Sequence, residues 1–578
     1  MNEWDLSKLY RSFDDHQFND DLNQIVVLQK QMNSYRHNKD EKSLESYLND
    51  LIKLNQLIEK LSCFISLSLS VDTTNEMALK YSDQLENILA SFVEDDILNQ
   101  QWISSFDLDK LSSPIIKEHH FFLKEIQNKQ KHTLDKTNES IIAHMQNTGS
   151  SAFEKLKDQV ISSITVKIDD KIYPLTEVLN MAYDKDKNVR KKAYLAELEC
   201  YQPYEQTIAA CLNAIKGEVL YTSKLHGYNS ELQRTLINSR MSKETLEVLL
   251  AVMQDNLFVF QDYLQTKAKY LGYSNGLPWY ELYAPVSEDD SYYPYHQGAK
   301  FVVEQFNTFS NHLANFALKA VNENWIDVYP HSGKVGGAFC CNLHSIKESR
   351  FLLNYGNTFS DVITMAHELG HGFHGECLKN ETILNSEYPM PIAETASTFC
   401  ETIVTKAALK NADNKTKLAL LEDELSSATQ VIVDIYSRYL FENSFFKKRK
   451  NGALSVKEIK ELMTSCQLKA YGNGLDSQYL HPYMWTWKPH YYDASYSYYN
   501  FPYAFGLLLA KGLYAIYKHK GASFSKTYED LLSLTGKMDL ETVCSNVGID
   551  LKDKSFWQAS IDTFKEDIEL YKKLLLEG

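Results

Sequence analysis

Apolar residues recur at spacings of three and four along most of the chain, and this period predicts a mainly α-helical protein. The clearest runs cover residues 20–32, 43–63, 188–201, 204–225 and 242–270. Short polar interruptions separate the early runs, as expected for helical hairpins. Helix is also predicted from residue 401 to the end, apart from an aromatic loop at 472–504.

Two other stretches carry signals of β-strands. Residues 160–168 alternate and are rich in β-branched types, and Asp169-Asp170 separates them from Ile172-Tyr173. This pattern predicts a small hairpin. Three further apolar runs, at 326–330, 336–341 and 351–355, are divided by turn residues. They predict a small sheet directly before the segment 364–374.

The edge of that sheet is a candidate substrate site. An extended peptide can add itself as a further strand to an exposed edge. Gly336, Gly337, Ala338 and Phe339 would then contact the substrate backbone. An ordinary turn explains Gly336-Gly337 equally well on local grounds.

Composition narrows the possible partners. The chain has 578 residues, of which 44% are hydrophobic, and a net charge of −16. It can therefore bury a large core and form several subdomains. A nucleic-acid partner requires a basic face, and the nearest basic run, 446–450, is too short to supply one. We expect no nucleic-acid partner.

The sequence also indicates the cellular compartment in which the protein is expected. No apolar run approaches the ~18 residues that a membrane helix needs, and the acidic start lacks the pattern of a secretory signal. Nine cysteines are scattered without metal-type spacing, and a disulfide framework is not expected in a chain of this length. These features predict a cytoplasmic protein with reduced cysteines and no membrane partner.

The segment 364–374 carries the main chemical motif, His-Glu-x-x-His. On a helix His367 and His371 share a face, so they could hold one Zn²⁺ side by side. Glu368 follows directly and is placed to act as a general base for an attacking water. The alternative is a helix whose two histidines are only surface or core residues.

Two histidines leave a catalytic zinc site incomplete, because such sites usually have three protein ligands. The best third candidate is Glu394, near the start of a second predicted helix whose first turn holds Pro391. His374 lies on the same stripe as the histidine pair and could also be a ligand, although we favour a supporting role beside the ligands. Glu401, seven residues after Glu394, could accept a hydrogen bond from a ligand histidine, or could be a plain surface carboxylate.

The aromatic segment, residues 479–503, is the second unusual region. It contains eight tyrosines together with tryptophans and His490. Tyrosine hydroxyls and histidine N–H groups can stabilise the oxyanion of a tetrahedral intermediate. Tyr492, Tyr496, Tyr499 and Tyr503 are spaced by four, three and four, so they could share a helix face. Aromatic packing is the alternative explanation for several of them.

Taken together, the motifs resemble the oligoendopeptidase F family, within the thimet-type zinc oligopeptidases. The resemblance covers most of the chain. The matching stretches are 184–194, 269–272, 283–285, 333–339, 367–374, 392–401, His490 and 503–506.

The resemblance implies a fold and a division of the chain. The fold is a mainly α, bowl-like zincin of the gluzincin type around a deep groove, with a small β-sheet next to the active-site helix. The implied domains are an N-terminal helical subdomain (1–110), an oligopeptidase N-terminal-type domain with helices and a hairpin (111–200), and a metallopeptidase catalytic domain (201–578).

The resemblance also implies a site. It places one Zn²⁺ per chain on His367, His371 and Glu394, with Glu368 as the base. Donors from the C-terminal His/Tyr segment would hold the oxyanion, and we assign His490, Tyr496 and Tyr499 to that role.

The resulting hypothesis is a zinc endopeptidase that cleaves short oligopeptides, as a monomer or a homodimer. A zinc carboxypeptidase on a similar scaffold is an alternative, and would need a basic residue to hold the substrate C-terminus. A non-catalytic helical peptide-binding protein is a second alternative.

Overall fold

The computed structural model describes residues 3–287 and 292–577. The helices before residue 280 are α1 (His16–Tyr35), α2 (Glu41–Val71), α3 (Glu76–Ser104), α4 (Pro114–Glu118), α5 (His120–Gln130), α6 (Lys136–Thr148), α7 (Ser150–Ser163), α8 (Leu175–Asn180), α9 (Lys187–Cys200), α10 (Glu205–Leu225), α11 (Glu231–Asn238), α12 (Lys243–Asp255) and α13 (Leu257–Tyr270).

The later helices are α14 (Tyr295–Phe309), α15 (Asn311–Asn322), α16 (Phe359–Leu378), α17 (Met390–Ala393), α18 (Thr395–Asn411), α19 (Asn414–Thr429), α20 (Ile435–Arg449), α21 (Val456–Tyr471), α22 (Met484–Trp487), α23 (Phe501–Lys520), α24 (Ser525–Leu534), α25 (Leu540–Ser545) and α26 (Lys554–Glu577). The strands are β1 (Thr165–Ile168), β2 (Lys171–Pro174), β3 (Ile326–Asp327), β4 (Phe339–Leu343) and β5 (Glu348–Leu352). The predicted mainly α fold with small sheets is confirmed.

The predicted hairpin is present, but its first strand is shorter than expected. Strands β1 and β2 pair antiparallel, with Val166 opposite Tyr173. Residues 160–163 belong to helix α7, so the predicted strand start at Val160 is wrong. The chain becomes extended only at Ile164. A short apolar run at the end of a helix carries too few residues for its period to separate helix from strand.

The second sheet has three strands in the order β3–β5–β4. Strand β3 pairs with β5 in parallel and β4 pairs with β5 antiparallel, with Cys341 opposite Arg350. The predicted edge strand therefore exists as β4, but it starts at Phe339 rather than at Gly336. The backbone at Gly337 has φ +84°, a left-handed conformation that ends strand pairing and favours glycine.

The chain forms two compact units, each assembled from three separate stretches. Unit 1 contains Met1–His132, Asp290–Ala407 and Ile516–Ile549, and unit 2 contains Thr133–Asp289, Ala408–Ala515 and Asp550–Gly578. These units do not follow the boundaries at 110 and 200, and the three consecutive domains stay a prediction. The His-Glu-x-x-His helix lies in unit 1, and the aromatic segment lies in unit 2.

Unit 1 holds strand β4 between two helical layers. Phe339 and Cys341 pack against the apolar cluster of the N-terminal helices, where the Phe339 ring lies 6.2 Å from that of Trp4. Asn342, on the opposite face of the strand, donates to the carbonyl oxygen of His371 in α16 at 3.3 Å. Because successive side chains of a strand point to opposite faces, β4 contacts the N-terminal helices on one face and the histidine helix on the other.

Unit 2 is built around buried ion pairs and hydroxyls. The Glu422 carboxylate accepts from Lys267, from the Tyr263 hydroxyl at 2.9 Å and from the Tyr571 hydroxyl at 2.6 Å. These partners join α13, α19 and α26 and compensate the burial of the charge. Among the described residues of the chain, no helix combines the length and the apolar character needed to cross a membrane.

Candidate metal centre

Helix α16 has a strong start and a buried apolar face. Thr358 caps it in a reciprocal pair with Asp361, each side chain bonding to the other's backbone N–H. Such a capping box satisfies two of the open donors of the first turn. Behind it, Val362, Leu369 and Phe373 are buried. The helix is therefore fixed from one side, which leaves the His367 and His371 side chains partly accessible on the other.

Glycine at position 370 allows the second helix to approach closely. A Cβ atom there would lie 2.6 Å from the Ala396 carbonyl oxygen and 2.7 Å from the Ser397 Cα atom. Both contacts are to backbone, which cannot move like a flexible side chain. The helices therefore pack closely at this glycine, and the backbone that approaches is that of α18.

The paired-helix site consists of His367 and His371 on α16 and Glu394 between α17 and α18. The two Nε2 atoms lie 3.1 Å apart, and each lies 3.4 Å from Glu394 Oε2. Ligand atoms held 2.0–2.1 Å from a tetrahedral ion are about 3.3 Å from one another. Within the described residues these three side chains form the one group whose donor atoms suit a metal ion. Their spacing and chemistry therefore fit a divalent cation with one position left for water or substrate.

The surroundings of Glu394 keep its carboxylate ionised. Burial would raise the pKa of its carboxyl, but the contact with His371, the charges of both histidines and a hydrogen bond from Ser397 lower it to about 2. The Ser397 hydroxyl donates to Glu394 Oε2 at 2.9 Å. A carboxylate that remains ionised and oriented is ready to bind a cation.

Glu401 contacts the far side of His367. Its Oε1 lies 2.7 Å from His367 Nδ1, so the Nδ1–H can donate to the carboxylate while Nε2 faces His371 and Glu394. Burial would lower the pKa of His367, but the Glu401 hydrogen bond and the nearby carboxylates raise it to about 9. The contact fixes the ring orientation that a metal ligand requires.

Glu368 is held in a different environment. Glu368 is only 6% exposed. This burial raises the pKa of its carboxyl, although the charges of His367 and His371 act to lower that pKa. A raised pKa brings a carboxylate closer to the range in which it can accept and return a proton. This is the property that a general base needs.

His374 does not join the ligand group. Its ring is buried, its Nε2 lies 2.8 Å from the Thr535 hydroxyl, and it stacks on Tyr388 with a centroid distance of 3.8 Å. Burial and the charge of His371 lower the pKa of His374 to about 3. It is a neutral side chain that joins α16 to the end of α24, and the described metal-ligand group does not include it.

The predicted substrate-contact residues fall on the loop before β4 and on its first residue. Gly336 and Gly337 are exposed, and a Cβ on either would meet nothing within 4 Å. Asn354 anchors this loop by donating to the carbonyl oxygens of Val335 at 3.0 Å and Gly337 at 2.7 Å. Ala338 continues the loop, while the Phe339 side chain packs into unit 1. The role of these residues toward a substrate stays a prediction.

The aromatic segment does not place its tyrosines on one helix. Residues 492–500 consist of turns, Tyr498 has a left-handed φ of +56°, and α23 begins only at Phe501. Pro502 explains the boundary, because proline is tolerated in the first turn of a helix but not in its interior. Tyr492 is fully buried and its hydroxyl donates to the Trp485 carbonyl oxygen at 2.9 Å. The four tyrosines therefore do not share a helix face.

His490 and two of the tyrosines nevertheless cluster inside unit 2. The Tyr499 ring lies 5.0 Å from the His490 ring and 5.2 Å from the Tyr496 ring. The Tyr496 hydroxyl bonds to the Ser239 hydroxyl at 2.9 Å. Burial, followed by the positive charges of Arg438 and Lys488, lowers the pKa of His490 to about 4. His490 is thus neutral near pH 7, and its role and that of the tyrosines as oxyanion donors stay predictions.

The sequence did not reveal several supports of the site. Asn342 follows two cysteines in a strand and carries no motif, yet it bonds to the backbone of the histidine helix. Tyr388 lies in the loop between the two helices, and Thr535 is far away in the chain. Only the polar Asn342 within an otherwise apolar strand gave a signal that could have been followed.

Comparisons with known proteins identify the family of the chain. A family model described as Peptidase family M3 matches residues 180–563, and one described as Oligopeptidase F matches residues 107–165. An oligoendopeptidase F homolog of Lactococcus lactis subsp. lactis is 24% identical over 100% of this chain and 97% of its own length. Group B oligopeptidase PepB of Streptococcus agalactiae is 25% identical over 91% of this chain and 89% of its own.

Solved structures show the same fold. A putative peptidase from Chlamydophila abortus has a TM-score of 0.88 at 21% identity, covering 99% of this chain and 98% of its own. Oligoendopeptidase-F from Enterococcus faecium has a TM-score of 0.68 at 16% identity, covering 97% and 99%. The resemblance to oligoendopeptidase F that the motifs indicated is confirmed. The match over residues 180–563, most of the sequence, shows that the chain belongs to peptidase family M3.

Proposed function

We propose that this protein is a zinc-dependent endopeptidase that hydrolyses short oligopeptides. The observation that supports it most strongly is the triangle of His367, His371 and Glu394, with sides of 3.1, 3.4 and 3.4 Å, beside the buried Glu368. Two imidazoles and one carboxylate form a ligand set typical of catalytic zinc. The similar proteins are named an oligoendopeptidase and an oligopeptidase, and we extend the peptide substrate that these names state to the present chain.

The residues of the chain divide the chemistry between them. Zinc, when bound, supplies a Lewis acid that activates water and stabilises charge on the scissile carbonyl. Glu368 takes the proton from the attacking water and returns it to the leaving amine. Glu401 holds the His367 ring, and Ser397 holds Glu394. Each ligand is thus oriented before substrate arrives, so little reorganisation is needed during the reaction.

The edge strand β4 supports cleavage within a peptide rather than at its end. A substrate that pairs with a strand edge is recognised through its main chain. Such recognition requires neither a free N-terminus nor a free C-terminus. Strand β4 contacts the histidine helix through Asn342, so a peptide on this edge would lie beside the site.

The test of the proposal is cleavage of a peptide blocked at both ends, followed by mass spectrometry with and without a chelator. We expect internal cuts that the chelator abolishes. Cleavage confined to peptides with a free C-terminus would instead indicate a carboxypeptidase. Peptide binding without any cleavage and without bound zinc would indicate a non-catalytic binding protein.

The variant Glu368→Gln tests the base. It should keep zinc, because no ligand atom changes, and lose roughly 10²–10⁴-fold in kcat. Glu376→Gln on the same helix is the matched control, since Glu376 pairs with His312 and Lys379. Near-normal turnover in Glu368→Gln would remove Glu368 from the mechanism.

A further inference from the structure

Helix α2 is fastened to strand β4 on both sides of one short stretch. On one side the Glu59 carboxylate accepts from the backbone N–H groups of His344 at 2.7 Å and Ser345 at 2.8 Å, just after the strand. On the other side the Ser70 carbonyl oxygen accepts from Val335 N–H at 2.9 Å, just before the strand. These bonds hold helix and strand in one register.

Two thiols face each other between these anchors. Cys63 of α2 and Cys341 of β4 are half-buried, and their Sγ atoms lie 3.6 Å apart. A disulfide bond is about 2.05 Å long, so the sulfurs need to approach by only about 1.5 Å. Cys340 is the neighbouring thiol, but it points to the opposite face of the strand, where its Sγ lies 3.5 Å from Asn342 Oδ1.

We propose that Cys63 and Cys341 form an oxidisable dithiol whose disulfide locks strand β4 to helix α2. Hydrogen peroxide is the oxidant considered. One thiol reacts with peroxide to give a sulfenic acid and one water, and the second thiol then displaces the hydroxyl as a second water to form the S–S bond. Two thiols and one peroxide thus become one disulfide and two waters.

The pair is protected under mild conditions. The hydrogen bond with Cys341 and then burial raise the pKa of Cys63. Because the thiolate is the reactive form, oxidation is slow near pH 7 and becomes faster as pH rises. The site would therefore respond to oxidative stress rather than to ordinary conditions.

The effect of the disulfide on peptidase activity rests on the proposed function. Strand β4 is the edge proposed to pair with the substrate backbone. Closing the S–S bond draws Cys341 toward α2 and fixes the strand. We expect a lower kcat/KM through a raised KM, reversed by dithiothreitol.

The experiment treats the full-length protein with hydrogen peroxide at pH 8, alkylates the remaining thiols, and maps the digest by mass spectrometry without reduction. The expected product is a cross-linked peptide pair containing Cys63 and Cys341, lost after dithiothreitol. Cys63→Ser should show neither the link nor the reversible fall in kcat/KM. Cys200→Ser, a change at another half-buried cysteine whose Sγ contacts the Glu197 carbonyl oxygen, should show both.

Each outcome separates the proposals. Absence of the Cys63–Cys341 link, or a link through Cys340 instead, overturns the dithiol whatever the activity. If the Cys63–Cys341 disulfide forms completely and kcat/KM does not change, the proposed effect of the disulfide on substrate binding at β4 is wrong. Protein that cleaves no peptide before oxidation contradicts the proposed function alone, because the mass measurement does not depend on turnover.

Discussion

The paired-helix site and the aromatic segment place their polar side chains by different means. In the paired-helix site, His367 and His371 are held by the period of one helix, and Glu394 is brought to them by the close approach at Gly370. In the aromatic segment, turns and buried hydroxyl contacts place each ring separately, as Tyr492 and Tyr496 illustrate. Function carried by a helix pair can therefore be inferred from spacing, whereas function carried by turns requires the individual contacts.

Among the variants that test this contrast, Tyr499→Phe has the largest expected effect. If the aromatic segment supplies an oxyanion donor, loss of one hydroxyl should lower kcat by roughly 10²–10³-fold with little change in KM. Tyr498→Phe is the matched control, because its hydroxyl donates to Asn443 at 3.3 Å and its loss should cost stability of about 1 kcal/mol. Steady-state kinetics on a terminally blocked peptide measures the change in kcat. Equal, small effects on kcat in both variants would show that the aromatic segment contributes only to packing.

Glu401→Gln tests the hydrogen bond to His367, a proposed metal ligand. We expect zinc affinity to fall about 10–100-fold, because His367 loses a charged partner that fixes its ring. Competition with a chelator of known affinity measures the change, and Glu376→Gln again serves as the control. Unchanged affinity would show that the contact between Glu401 and His367 does not contribute to zinc binding.

His374 predicts how stability depends on pH. Its pKa is about 3 in the folded protein and about 6.5 in the unfolded chain, so the unfolded chain binds more protons between these values and stability falls as pH falls through that window. At pH 5 this single group should cost about 2 kcal/mol.

The measurement is denaturant unfolding of wild type and His374→Gln between pH 7 and pH 5. The variant should lose less stability over this range than the wild type. Parallel pH profiles for the two proteins would show that His374 is not the buried neutral group described above.

Gly370→Ala is the smallest effect and the sharpest probe of the helix pair. Alanine normally stabilises a helix interior by up to about 1 kcal/mol, but here its Cβ meets the backbone of α18. We expect a net loss of about 1–2 kcal/mol. Gly336→Ala, where a Cβ meets open space, should leave unfolding unchanged, and a stabilised Gly370→Ala protein would contradict the close approach.

The sequence predicted those parts that depend on local periodicity. Helix period placed His367 and His371 side by side, whereas Glu394 lies between α17 and α18 and reaches them through the close approach at Gly370. It could not predict that His374 pairs with Thr535, since that contact spans 161 positions along the chain. Pro502 indicates the start of α23, because proline is tolerated in the first turn of a helix, whereas the four-three-four tyrosine spacing alone does not show whether the segment is helical.

A zinc titration of chelator-stripped protein, with cleavage of a terminally blocked peptide as the readout, tests the proposed zinc site most directly. We predict no cleavage without zinc, a linear rise on addition, and saturation at one zinc per chain, with Glu394→Gln failing to reach saturation at that ratio. Full activity of the stripped protein, or normal zinc binding by Glu394→Gln, would contradict the paired-helix site.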